Sequence, residues 1–248
     1  MDGTVLAVFL FGTFLGGLTS GLAGFAMGLV VSGIWLHVIT PLQTATLIVG
    51  FGLVTQGYAI WKLRGTLDWW AIAPFILGGV FGVPVGTMLL TYVDPAAVRT
   101  VVGGLLIAYS VYGMARPRFK PIATDVPRDL AIGGLNGLLG GITGLTGITV
   151  TIWSQLIGLS KDRQRAIFQP VNLATIVMSA LALTYAGAVT PQVSKLYLLG
   201  LPTLLAGLWS GFKLYGKLDD AAFRKVILVL LLVSGFALLA PLLWRLRG

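Results

Sequence analysis

The chain contains no cysteine and no glutamate, a single histidine, and charged side chains at only 10% of its 248 positions. Without cysteine there can be no disulfide, no thiol nucleophile and no thiolate metal ligand, and the redox compartment cannot be read. One histidine and no glutamate leave too few groups for a nucleophile with its base, an acid–base pair or a metal cluster. A membrane-embedded enzyme is therefore not expected, and no metal or other cofactor is. The eight acidic residues, Asp2, Asp68, Asp94, Asp125, Asp129, Asp162, Asp219 and Asp220, all fall at ends or in loops of the apolar pattern. Proton and cation carriers use an intramembrane carboxylate as the titrating or coordinating charge, so a cation substrate is disfavoured. No lysine or arginine stands at the centre of an apolar run either, where it would cost about 2.5 to 3.5 kcal/mol.

What the chain has in excess is apolar surface. With 56% hydrophobic residues and a mean hydropathy of +0.93, it reads as an integral membrane protein whose main partner is the lipid bilayer. A formal charge of +9 would suggest nucleic acid in a soluble protein. Here the basic residues sit in short loops, where they set orientation, and no nucleic acid is expected. The start, Met1 to Thr4, lacks a basic n-region, and the apolar segment behind it is expected to be retained.

Two glycine-rich stretches, Gly12–Gly24 and its echo Gly133–Gly147, each lie inside a long apolar run and carry the residue that most weakens a helix. The run Thr4 to Leu36 holds 33 residues without a charge, about 50 Å as one helix. That is too long for one crossing of a core of roughly 30 Å and too short for two. A pair of half-helices meeting at a broken tip inside the bilayer resolves the mismatch, with second halves starting near Phe25 and Leu145. Further apolar runs fall at 42–61, 69–91, 96–114, 129–158, 166–186, 196–216 and 223–244, and a polar connector follows Ala115.

The two halves match. At an offset of 120, Gly17, Gly21 and Gly24 fall on Gly137, Gly141 and Gly144. At 121, Gln43 falls on Gln164; at 125, Gly82 and Gly86 fall on Gly207 and Gly211, and Asp94 on Asp219. This reads as a tandem duplication, with a first membrane repeat at 1–115, a cytoplasmic linker at 116–127 and a second repeat at 128–248. If each hairpin enters and leaves on one side, three full crossings remain per half, and one face collects thirteen of the seventeen basic residues. Arg99, Lys195, Arg245 and Arg247 remain on the other face. If the hairpins cross instead, the split is about nine to eight, so positive-inside favours the first arrangement. Three crossings invert the second copy. The expected fold is thus an all-α integral membrane protein of two inverted-topology repeats, each a broken-helix re-entrant hairpin plus three transmembrane helices, with both termini outside.

The tandem halves with Gly-rich broken helices, the turn Gly65-Thr-Leu-Asp68 and the helix bearing Gly78, Gly82 and Gly86 resemble the sulfite exporter TauE/SafE family. The resemblance covers nearly the whole chain. It implies a carrier of sulfite, sulfonates, sulfoacetate or related small organic and sulfur anions in the bacterial inner membrane.

With no cation at a span centre, an anion would be held by dipoles. The second half of each hairpin leaves its first N–H groups unbonded and turns a positive end to the tip. Gly21, Gly24, Gly141 and Gly144 would let an anion approach the backbone, and Ser20, Thr143 and Thr146 would add hydroxyl donors. Gln169, Asn172 and Thr175, at i, i+3 and i+6, share a helical face; Gln169 and Asn172 join the candidate set, as does Gln56 of the first copy. The competing reading of such amides is an interhelical hydrogen bond, and that of the glycines is close helix packing. Arg165, just before the 166–186 run, would steer an anion at the cytoplasmic mouth or act as a positive-inside determinant. Histidine titrates near neutrality, so proton coupling through a side chain would fall to His37, which otherwise reads as an interfacial residue. A homo-oligomer is compatible with this reading. A small-anion channel and a non-transporting assembly protein are the alternatives.

Overall fold

The computed structural model of the chain describes residues 3–25, 27–89, 95–115, 121–143, 147–185 and 187–245. These residues form ten α-helices, with no strand among them: α1 Gly3–Ala23, α2 Met27–Trp35, α3 Pro41–Leu63, α4 Trp69–Leu89, α5 Pro95–Ala115, α6 Val126–Thr143, α7 Ile148–Leu156, α8 Lys161–Tyr185, α9 Pro191–Tyr215 and α10 Asp220–Arg245. Five described segments are long and apolar enough to cross a membrane: Gly3–Ala23, Leu42–Thr66, Trp69–Gly86, Lys161–Tyr185 and Pro191–Tyr215. Of the connector, residues 116–120 lie outside the described residues, and 121–125 are exposed coil leading into α6.

Local chemistry sets the helix ends. Thr40 caps α3 through a reciprocal box: the Gln43 N–H donates to Thr40 Oγ1 at 3.3 Å and the Thr40 N–H to Gln43 Oε1 at 3.1 Å. Pro41 follows at the first helical position, where its missing N–H costs nothing. At α9, Thr190 Oγ1 accepts the Val193 N–H at 3.3 Å and Pro191 follows, with Val193 in place of a residue that could return the bond. Asp68 and Asp219 accept first-turn N–H groups of α4 and α10, Asp219 from Ala222 at 2.7 Å. Two of the acids expected at the ends of apolar runs, Asp68 and Asp219, thus act as caps.

The 33-residue run is broken, but unequally. α1 takes 21 residues and α2 only nine, about 14 Å and so far short of a span. In the run from 129 to 158 the break is likewise uneven: α6 takes 18 residues and α7 nine.

By contacts the chain forms two compact units, each drawing on both sequence halves: residues 1–67 with 172–218, and 68–171 with 219–248. Repeat and compact unit are therefore different divisions of the chain. In the first unit α9 lies along α1, α2 folds back on α1, and α3 packs on α9 and α2. In the second, α6 lies along α4, α5 along α10, and α7 folds back on α6.

The α1–α9 and α4–α6 seams are glycine contacts, and they repeat at the offsets read from the sequence. A Cβ on Gly17 would overlap the Leu204 carbonyl and come 3.0 Å from Leu208 N. One on Gly137 would meet the Gly79 carbonyl and come 2.9 Å from Val83 N, the same positions shifted by 120 on one helix and 125 on the other. Gly207 sits against Phe14 and Leu18 as Gly82 sits against Gly134 and Leu138, with Cβ approaches of 3.0 and 2.9 Å to Leu18 N and Leu138 N. Backbones this close leave no volume for a side chain, so these glycines are packing residues. Gly207→Ala is expected to destabilise the protein by about 1–3 kcal/mol. Gly104→Ala, where nothing lies within 4 Å, should leave the detergent melting midpoint unchanged or slightly raised.

Candidate functional site

Each unit holds one broken-helix tip. In the first, α1 ends at Ala23 and Gly24 adopts φ 90°, left-handed backbone that only glycine enters at no steric cost. The break frees backbone groups that must be satisfied. Gln56 Nε2 donates to the Gly24 carbonyl at 2.9 Å. Gln56 is buried, and its Oε1 has no partner among the described residues. The bond fixes a level: Gln56 stands seven residues before the end of α3 at Leu63, about 10 Å. The tip thus lies alongside the interior of a helix long enough to span. At its far end α2 is fastened by Trp35, whose indole N–H donates to the Phe9 carbonyl at 3.1 Å. Its rings stack on Phe9 with centroids 5.0 Å apart.

The sequence-derived residues divide here. Ser20 is buried one turn before the break. Gly21 faces α9, whose Gly211 Cα would lie 2.9 Å from a Cβ there, so its missing side chain is accounted for by helix packing. Asn172 is buried in the same unit, and its Oδ1 is unpartnered among the described residues.

In the second unit α6 ends at Thr143 and α7 begins after Gly147, which adopts φ 84°. Gly144 and Thr146 lie outside the described residues, and Gly141 and Thr143 are described by backbone alone, as the last turn of α6. The side chain that organises this tip is Asn136, which the sequence reading did not single out. Its Oδ1 accepts the Gly147 N–H at 2.8 Å and the Thr149 hydroxyl at 3.0 Å. Asn136 is 1% exposed, and its Nδ2 has no partner among the described residues. The available signal was an amide inside the glycine-rich echo, two turns before the break. At the other end of the pair, Asp129 accepts from the Trp153 indole at 2.8 Å and the Thr124 hydroxyl at 2.6 Å.

Arg165 requires a correction. A steering charge at a mouth is exposed, whereas Arg165 is 0% exposed in the second turn of α8. With the Gln169 amide turned so that its oxygen faces the guanidinium, that oxygen accepts from Arg165 Nε at 3.0 Å and Nη2 at 2.6 Å. Gln169, itself fully buried, is a partner of the arginine before anything else. Such a charge is tolerated inside only when hydrogen-bonded.

His37 is exposed in the turn after α2 and lines a cleft of about 380 Å³ with Gln43 and Gln192. A second cavity, about 370 Å³, lies between α3, the end of α8 and α9 and is walled mainly by aliphatic side chains such as Leu47, Leu53 and Leu183. Its polar lining is limited to hydroxyls such as those of Thr46, Thr184, Ser194 and Tyr197, and neither Gly24 nor Gly147 borders it.

The family profile described as Sulfite exporter TauE/SafE matches residues 8–238. The chain belongs to the TauE/SafE family. It is a family of membrane transporters for sulfur anions such as sulfite rather than of enzymes, which agrees with the resemblance in the glycine pattern and makes this chain a multi-pass membrane transport protein. No curated protein and no solved structure matches the chain. Gln56→Leu, which removes the partner of the Gly24 carbonyl, is expected to destabilise this TauE/SafE protein by about 1–3 kcal/mol. A melting midpoint equal to that of the unaltered protein would mean that the first break does not depend on the bond.

Proposed function

We propose that this chain is a secondary transporter that moves sulfite or a related small sulfur or organic anion, a sulfonate or a sulfoacetate-like molecule, across the bacterial inner membrane. The anion is held at the broken-helix tips. The observation that carries this reading is that a glycine in left-handed backbone borders each break, Gly24 directly after α1 and Gly147 directly before α7, and that a nine-residue helix follows each break. Such a start offers N–H groups without intrahelical partners and the positive end of a dipole, worth roughly 0.3 to 2 kcal/mol toward an anion. Non-helical backbone is tolerated at membrane depth where protein buries it or where it lines a polar cavity. The bond from Gln56, about 10 Å short of the end of α3, supports a re-entrant first hairpin.

The matching glycine contacts of α1 with α9 and of α4 with α6 support the two-repeat reading, in which three full crossings per half invert the second copy. Ser20, Gly24, Gly141, Thr143, Gly144, Thr146, Gln56, Gln169 and Asn172 are the proposed surroundings of the anion, with Gly21 holding α1 against α9. Arg165 enters this set as an interior counter-charge in place of a steering residue. His37, in its open cleft, is the proposed group for proton exchange if transport is proton-coupled.

The test is transport by purified protein in liposomes. Labelled sulfite is expected to enter saturably, to show counterflow against internal sulfite, and to be competed by small sulfonates. Gly24→Leu, in which φ 90° is strained, should lose most of this uptake when compared at equal amounts of inserted protein. Non-saturable flux without counterflow would indicate a channel, and selective uptake of a cation would overturn the substrate class.

A further inference from the structure

We propose that Asn136 contacts the anion: its Nδ2 binds an oxygen of the transported oxyanion at the N-terminus of α7. This rests on the transport reading above and assigns one chemical contact within it.

The orientation of the amide is settled by its neighbours. Oδ1 accepts from two donors, the Gly147 N–H and the Thr149 hydroxyl. Turning the amide over would set its NH₂ against a backbone N–H, which can only donate. Nδ2 is thereby committed to pointing its own N–H groups elsewhere, and it is buried with no partner among the described residues. An unpartnered buried amide costs about 1–3 kcal/mol and persists where something else takes the bond. Nδ2 belongs to the same small planar group as Oδ1, so it sits at the tip, beside the start of a nine-residue helix. The first turn of that helix has N–H groups without intrahelical acceptors.

The donors gathered there, the side-chain NH₂ and the opening N–H groups of α7, select a ligand of one kind. It presents bare, negatively charged oxygens, as a sulfite or sulfonate does, and gains nothing from an O–H directed at this point. In the first copy the matching position is Gly16, packed against Met27 and Val31. The contact is therefore a property of the second tip alone.

Asn136→Asp keeps an oxygen for Gly147 and Thr149 and removes the NH₂. The proposal predicts sulfite affinity weaker by about ten- to a hundredfold, read from sulfite-dependent thermal stabilisation and the KM of counterflow in the full-length protein. The new charge also repels an anion bound elsewhere at the tip, so the amide signal of unaltered Asn136 distinguishes contact from repulsion. Sulfite affinity equal to that of the unaltered protein would overturn it. A second measurement leaves Asn136 itself unaltered. The chain has only two asparagines, Asn136 and Asn172, so ¹⁵N-asparagine labelling yields two side-chain amide signals, assigned with Asn172→Gln. Sulfite is expected to shift the Asn136 signal; a signal that stays still at saturating sulfite would overturn the proposal. If the unaltered protein neither binds nor transports any sulfur oxyanion, the transport reading itself fails, and this contact with it.

Discussion

A helix that stops inside an apolar environment exposes carbonyl and N–H groups that water cannot reach, and each must find a partner within the protein. That requirement governs both hairpins. At the first break the freed carbonyl of Gly24 is taken by the Gln56 amide. At the second, the freed N–H of Gly147 is taken by the Asn136 carbonyl. One tip thus receives a donor and the other an acceptor, and in each case the unused end of the amide is left buried at the tip. The same side chains that make the breaks tolerable also leave a buried polar atom at each.

The remaining scaffold positions these tips with very little volume. α2 and α7 are too short to hold themselves in place, and each is fastened at its far end through an indole N–H, Trp35 to the Phe9 carbonyl and Trp153 to Asp129. The helices they fold back on, α1 and α6, lie against α9 and α4 through glycines whose Cα atoms touch backbone. In lipid, where apolar side chains gain little by leaving their surroundings, contact at backbone distance is the available source of cohesion.

Much of this was legible in the residues. Glycine density within runs of the wrong length located both breaks, and the offsets of 120 and 125 recur in the seams, because backbone conformation and close approach act directly on residue type. Which helices form those seams was not legible. Side-chain partnerships were not legible. Gln56 looked like a donor to a ligand, yet it serves Gly24, 32 positions away. Asn136 passed for one more polar interruption because its partners lie beyond the break. Arg165 read as a loop charge because it precedes the apolar run, whereas α8 begins at Lys161 and carries it inside. Burial and pairing of this kind depend on which helices meet, and local pattern does not encode that.

The seams also bear on what a shortened chain would keep. α1 is covered by α9 and α6 by α4, so each contact joins an element from before residues 116–120 to one from after them. A protein consisting of α1 to α5 alone would lose the partner of both glycine faces, and backbone that is shielded by another backbone here would lie open to lipid.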